Sequence, residues 1–310
     1  MKIAVMADIH LLERRPKFRT DNTPKTVIDK FIWTLNKAVE ENCALYCIPG
    51  DLFDTWKLQD KFITTVAEVL FSFKNKLRII AVPGQHDMRY HMTDIKNTPL
   101  GILHAAGLIE IPSYNTPMLV GDHIIYGIGW GDEKHLDDIP IEGNEILLIH
   151  KMITEGKPLW PGQANWIGAK AFMRKYNFKY ILSGDNHQRF ISRIGDRVLI
   201  NSGSLLRRRK DQQEHVPALT ILDCDESTVY EYPIPILPAG EVFDIDKISK
   251  ENCAEEYKNH MEKLIEVIKS KNASVKPLEI LQEIIYEQQP SQDVVDHINA
   301  IIDFTQGDRK

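Results

Sequence analysis

Apolar positions in the first eighty residues switch between two periods. Residues 2–7, KIAVMA, form an unbroken apolar run of strand length, and the polar loop LLERRPKFRTDN follows. Thr23 and Pro24 then offer an N-cap and a proline at the first helical position. Val27, Ile28, Phe31, Ile32, Leu35, Ala38 and Val39 recur with the spacing of one helix face, and the run ends at Glu41-Asn42. The unit repeats: ALYCI (44–48) predicts a strand, Ile63, Val66, Ala67, Leu70 and Phe73 a second helix, and LRIIAV (77–82) a third strand. Strands that are apolar throughout and separated by helices argue for a parallel sheet covered on both faces.

The middle of the chain changes character. Short strands are predicted at 123–130, 145–150, 179–184, 190–194, 197–202, 218–223 and 229–234, with few helices between them. They imply a second, partly antiparallel sheet. Two sheets packed face to face, with helices outside, would bury both apolar faces. After the segment Pro235-Ile236-Leu237-Pro238-Ala239-Gly240 the strands stop. Ala254, Tyr257, Met261, Leu264, Ile265 and Ile268 form a helical stripe, and further helices are predicted after Pro277 and Ser291. The expected organisation is therefore an α/β domain over residues 1–236 and a helical appendage over 241–310, with no internal repeat and no low-complexity tract.

Composition narrows the class. A chain of 310 residues with 43% apolar content can bury one large core and a smaller one. The net charge of −6 gives the whole molecule no attraction for nucleic acid or an anionic membrane, so a polyanion site must rest on a local patch. No run approaches the ~18 apolar residues of a membrane span. The N-terminal strand leaves no room for a secretory leader, and the expected location is the cytoplasm. Cys43, Cys47, Cys224 and Cys253 show no CxxC pairing and are expected as thiols in a reducing compartment.

The chemistry lies just past the strands. Asp8 and His10 follow the first, Pro49-Gly50-Asp51-Leu52-Phe53-Asp54 the second, and Gln85, His86 and Asp87 the third. His150 ends the run EILLI, and Gly184-Asp185-Asn186-His187 follows KYILS. Each of these alone reads as a cap, a turn or a solvated loop. In an open α/β sheet, however, ligands bind outside the carboxyl ends of the strands, so all five loops should converge. Asp8 and His10, two apart in extended chain, can grip one ion together. Carboxylate, imidazole and amide oxygen in one place suit manganese, iron or zinc. Seven candidate ligands exceed the needs of one ion, whereas two ions ~3.5–4 Å apart would use them all, as in hydrolases that cleave phosphate esters.

Asp8-Ile9-His10, Gly50-Asp51-Leu52-Phe53-Asp54, Gly84-Gln85-His86-Asp87, His150 and Gly184-Asp185-Asn186-His187 resemble the five motifs of the calcineurin-like metallophosphoesterases, over roughly residues 1–235. The GDLFD form and the tail are most similar to the SbcD-like DNA repair exonuclease subunits of bacteria and phages. The resemblance implies an αββα two-sheet sandwich. It also implies Asp8, His10, Asp51 and His187 as ligands of a first metal, with Asp51 bridging, and Gln85, His150 and Asp185 as ligands of a second. His86 would be the general acid, oriented by Asp87. The family usually has Asn where Gln85 stands and His where Asp185 stands, which would shift the second position toward manganese or magnesium. By the same resemblance the tail would contact a DNA-binding ATPase subunit, although docking on its own domain is an equal alternative. The oligomeric state is open, a homodimer included.

Local positive charge bears on the substrate. Arg14, Arg15, Lys17 and Arg19 follow the first motif, and Arg207, Arg208, Arg209 and Lys210 form a second run. Arg207, Arg208 and Lys210 are the candidate DNA phosphate contacts, with solvated surface charge as the alternative. Trp130 and Trp160 offer stacking surfaces for bases, or packing. The expected activity is a metal-dependent DNA nuclease. A small-molecule phosphodiesterase, a phosphoprotein phosphatase and a non-catalytic scaffold on the same fold are the alternatives.

Overall fold

The computed structural model of the protein describes residues 1–91 and 94–252. The chain divides into two compact units, Met1–Val242 and Phe243–Lys310. The first carries the motifs. The helices expected beyond residue 252, and with them any partner surface there, lie outside the described residues.

The N-terminal alternation forms as the periods require: β1 (Lys2–Val5), α1 (Thr23–Glu40), β2 (Leu45–Ile48), α2 (Asp60–Phe73) and β3 (Arg78–Ala81). β1 pairs parallel with β2, and β2 with β3. Helix α1 starts one residue earlier than the Thr23 cap implies. The Asn22 side chain accepts from the Lys25 amide, while Thr23 turns its hydroxyl to Asp21. After α3 (Pro99–Ala105) come β4 (Met118–Val120), β5 (His123–Ile128), β6 (Glu145–His150), the short parallel pair β7 (Ile153–Thr154) and β8 (Ile167–Gly168), α4 (Ala169–Lys175), β9 (Tyr180–Gly184), β10 (Phe190–Ile194) and β11 (Arg197–Asn201). The six-stranded second sheet runs β10-β11-β9-β6-β5-β4. Its four central strands are parallel, and β4 and β10 are antiparallel at the edges.

The remaining strands correct the expectation. β12 (Ala218–Asp223) and β13 (Thr228–Pro233) do not extend the second sheet. They cross back to the first, where β12 lies antiparallel beside β1, and the order is β13-β12-β1-β2-β3. A short helix, α5 (Ala239–Val242), closes this unit.

The first sheet is buried on both faces, and its residues alternate between two cores. Ala4, Met6, Tyr46 and Ile48 meet Val27, Phe31 and Leu35 of α1 and Val66 and Leu70 of α2. Ile3, Val5, Leu45 and Cys47 face the other way, against Ile146, Leu148, Leu182 and Ile200 of the second sheet. A third layer packs Phe172 and Met173 of α4 on Leu147, Ile149 and Leu199. Each fully buried Leu, Ile or Phe contributes roughly 1.5–3 kcal/mol. The mixed α/β fold thus has four layers, helix, sheet, sheet, helix. KIAVMA lacks polar alternation because both of its faces are interior. Cys43, Cys47 and Cys224 are buried free thiols. No helix among the described residues is long and apolar enough to cross a membrane.

One buried polar contact ties β2, which leads to Asp51, to the helix above it. The Tyr46 hydroxyl lies 2.7 Å from Thr34 Oγ1, which itself donates to the Phe31 carbonyl, so Tyr46 is the donor. Tyr46→Phe is expected to cost about 1 kcal/mol of unfolding free energy in a denaturant titration, leaving the metal centre unchanged.

Candidate metal centre

The loops after β1 and β2 continue side by side beyond the strands. The amides of Asp8, His10 and Leu11 donate to the carbonyls of Gly50, Asp51 and Leu52 at 3.3, 3.0 and 2.8 Å. One further loop, which follows β11, joins them: the Ala7 amide donates to Ser202 Oγ at 2.7 Å, and the Leu205 amide to the Asp8 carbonyl at 3.3 Å. Asp8, His10, Asp51 and Asp185 all take left-handed backbone, with φ of 49°, 49°, 52° and 83°. For residues with a side chain this costs of order 1–2 kcal/mol each and persists only where neighbours enforce it.

The side chains converge. Among the described residues, three overlapping groups could hold an ion: Asp8, His10 and His187; Asp8, Asp51 and His150; and His10, Asp54 and His86. Asp51 is central and wholly buried. Its Oδ1 accepts from the His86 amide at 2.9 Å. Its Oδ2 lies 3.8, 3.6 and 4.0 Å from the Nε2 atoms of His10, His150 and His86. Gln85 and Asp185 stand outside the three groups but join them through hydrogen bonds. Gln85 Nε2 donates to Asp185 Oδ1 at 3.0 Å, Gln85 Oε1 lies 2.6 Å from His150 Nε2, and the Asp185 amide bonds both Asp8 oxygens at 3.1 Å.

These residues fit divalent cations. Asp51 Oδ2 and His10 Nδ1 are buried without a hydrogen-bond partner among the described residues. His10 Nε2 and His187 Nε2 face each other at 3.1 Å. His150 has an oxygen on each side, the Pro49 carbonyl at 2.8 Å from Nδ1 and Gln85 Oε1 beyond Nε2. A neutral imidazole carries one N–H. If the Pro49 carbonyl takes it, a ring lone pair and an amide lone pair oppose each other, and a cation at that point resolves the repulsion. Lone pairs 3 to 4 Å apart are the spacing that bonds of roughly 2.0–2.2 Å to a shared ion produce.

The electrostatics agree. Burial, with the neighbouring carboxylates Asp51 and Asp185, pushes the Asp8 carboxyl well up, and burial with Asp87 does the same to Asp51. Burial followed by the Arg208 guanidinium drives His10 well down and His187 to about 3. A buried cation offsets both strains, because it favours ionised carboxylates and neutral imidazoles.

Other predicted residues have different work. Asp87 does not orient His86. Its buried carboxylate accepts from the backbone amides of Phe53, Gly84 and Leu52 at 2.9, 3.0 and 3.3 Å and so pins two ligand loops together. The His86 ring is held by the Asp54 carbonyl, 2.8 Å from Nδ1. Arg207 is not a surface phosphate contact. It is 4% exposed and donates to the Gln213 and Leu237 carbonyls. Arg208 turns the other way and pairs with the Asp54 carboxylate beside the centre. Lys210 opens a helical turn and lines a surface cleft with Lys17 and Phe18. Arg19, from the other basic loop, is likewise internal: it bonds Asp21 at 2.8 and 2.7 Å and the Arg207 carbonyl at 2.8 Å. Asp54 was missed as a site residue although it ends the GDLFD motif. Its position three residues after Asp51 in a metal motif was the available signal.

Residues 1–189, more than half of the chain, match the family model of the calcineurin-like phosphoesterases, and the chain belongs to that family. The family typically binds divalent metals, in keeping with the His and Asp groups above. Among solved structures the chain is similar to wild-type Vps29 of Entamoeba histolytica complexed with zinc, at 15% identity and a TM-score of 0.36 over 75% of this chain and 92% of that one. A single mutant of the same protein gives 16% and 0.36 over the same shares. A further crystal structure gives 11% identity and a TM-score of 0.46 over 76% of this chain and 99% of that one. No curated protein matches the chain.

Two outcomes test this geometry. A Cβ on Gly84 would lie 2.1 Å from Asp51 Oδ1 and 2.4 Å from its amide. Gly84→Ala should therefore displace the central carboxylate and lower manganese or zinc affinity by roughly 10- to 100-fold in calorimetric titration. Gly240→Ala, which meets nothing within 4 Å, should leave it unchanged.

The second outcome concerns Asp21. Burial alone would raise its pKa, but hydrogen bonds from Arg19, Thr26 and Thr23 outweigh it and hold the carboxyl at about 2. A depressed folded pKa contributes stability that is full above the unfolded value of about 3.9 and is lost as pH falls through the folded one. Asp21→Asn should cost roughly 1–2 kcal/mol at neutral pH after solvent screening, with the gap to wild type closing as the pH drops from about 4 toward 2. Unfolding at a series of pH values measures it.

Proposed function

We propose that the protein is a metal-dependent phosphodiesterase of the SbcD-like nuclease type, with DNA as substrate and manganese as the metal. The observation that carries this reading is His86. Its Nδ1 is committed to the Asp54 carbonyl, its side chain is 41% exposed, and its Nε2 points toward the centre 4.0 Å from Asp51 Oδ2. An anchored, accessible imidazole beside a ligand cluster is placed to donate a proton to a leaving oxygen. Asp8, His10, Asp51, His150 and His187, with Gln85 and Asp185, would hold the ions, which when bound supply an activated water and neutralise charge on the phosphoryl oxygens. Arg208, held by Asp54, adds positive charge at the same edge. An ATPase subunit docking on the helical appendage, residues 241–310, and a homodimer complete the SbcD-like reading.

A second reading, a phosphodiesterase for short nucleotide diesters, is favoured by the burial of Arg19 and Arg207, 4% exposed each. Two cations that the sequence offers to a DNA track are bound into the fold instead.

His86→Gln should lower kcat on a phosphodiester by at least about 100-fold while metal content measured by mass spectrometry stays at the wild-type level. Parallel loss of metal and turnover would instead make His86 a ligand. Absence of hydrolysis by the wild type on DNA and on a chromogenic diester, with manganese, magnesium and zinc in turn, would leave a phosphoesterase-like scaffold.

A further inference from the structure

Next to the metal centre the surface opens into a cleft of about 880 Å³, into which Gln85, His86, Asp185 and His187 reach. This is far more room than a phosphoryl group needs and is within the usual range for organic ligands. The rest of the lining divides by chemistry. Met152, Leu159, Trp160 and Val216 supply apolar surface, and Trp160 and Val216 are 52% and 45% exposed. The charges nearly cancel: Arg189 and Arg209 stand against Asp211 and Glu214. Both cations are also engaged, Arg189 with Glu231 at 2.9 Å and Arg209 with Asp211 at 3.4 Å. A row of phosphates finds no continuous positive track in such a lining. An uncharged group with a flat apolar face suits this lining.

Trp160 is presented to the cleft by its own turn. Gln163 Oε1 accepts from the Leu159 amide at 2.8 Å, and the Gln163 amide donates to the Trp160 carbonyl at 3.3 Å. The indole stacks on no ring among the described residues. Gln188, also in the lining, offers an amide donor and acceptor for a hydroxyl or a base edge.

We propose that this cleft takes one nucleoside of the phosphodiester substrate, its base lying on the indole of Trp160 while the scissile phosphate sits at the metal centre. The inference rests on the phosphodiesterase reading above and names the substrate's chemistry: a diester with a base next to the cleaved bond. A polynucleotide and a short nucleotide diester share it. Stacking on an aromatic side chain tolerates any base, since every base has a π-face.

The test compares thymidylyl-thymidine with its base-free counterpart, in which both thymines are replaced by hydrogen. The wild type should favour the base-bearing diester in kcat/KM by about 5- to 150-fold, the range that loss of one base stack produces. Trp160→Ala should lose that preference, its kcat/KM for thymidylyl-thymidine falling toward that for the base-free diester, and Trp160→Phe should keep most of it. Thymidylyl-thymidine should also quench tryptophan fluorescence in the wild type and not in Trp160→Ala, a readout that needs no turnover.

A wild type without preference, or a Trp160→Ala variant that loses both substrates equally, overturns the subsite and leaves the phosphodiesterase reading standing. A wild type that cleaves neither diester overturns the phosphodiesterase reading, and the absence of quenching then removes the subsite as well. Faster cleavage of a single-stranded oligonucleotide than of the dinucleotide identifies polynucleotide as the source, and the reverse identifies the short diester. Either result upholds the subsite.

Discussion

The structure is organised around a carboxylate shut away from bulk solvent. Asp51 is wholly buried, one oxygen satisfied by the His86 amide and the other facing three imidazole nitrogens at 3.6 to 4.0 Å. An ionised carboxylate in that position costs several kcal/mol unless a countercharge is present. Everything around it brings countercharge or countercharge-binding groups close. Crowding follows, and the chain answers it with glycine at Gly84, where any Cβ would strike Asp51, and at Gly50, where it would strike His150.

The same constraint explains where the backbone is strained. Of the non-glycine residues with left-handed φ, Asp8, His10, Asp51 and Asp185 all belong to the centre. Each lies past a strand end, and the amides of Asp8, His10 and Asp185 still find a carbonyl or carboxylate. The bonds between the loops, together with the Asp87 carboxylate gripping the amides of Leu52, Phe53 and Gly84, hold these conformations. Local stability is given up at the site and recovered in the two apolar layers beneath it.

Charge is distributed with comparable economy. The run Arg207-Arg208-Arg209 looks uniform in sequence and does three different things. Arg207 is a buried strut, tied to carbonyls and linked through Arg19 to Asp21. Arg208 reaches Asp54 and bears on the pKa of His10 and His187. Arg209 lines the cleft beside the centre. Consecutive side chains in non-helical chain point to different sides, so adjacent positions meet different environments.

Local patterning by itself determined the helix-and-strand alternation of residues 2–82, the positions of seven strands between residues 123 and 234, and the strand-end residues that meet at the centre. These depend on period and on short-range motifs, which a single stretch of chain carries. α4 was not legible, because seven residues show too little of a helical stripe. Nor was the return of β12 and β13 to the first sheet, because a strand buried on both faces, as β12 is, reads the same whichever sheet receives it, and the edge strand β13 follows it as its antiparallel partner. The partners of Asp87, His86 and Arg207 were likewise decided only by tertiary structure. Each is a hydrogen bond to a backbone group: Asp87 reaches Leu52 and Phe53 across 35 and 34 residues, His86 reaches Asp54 across 32, and Arg207 reaches Leu237 across 30. Side-chain identity says that such a group needs a partner, and only the packed chain says which one is near.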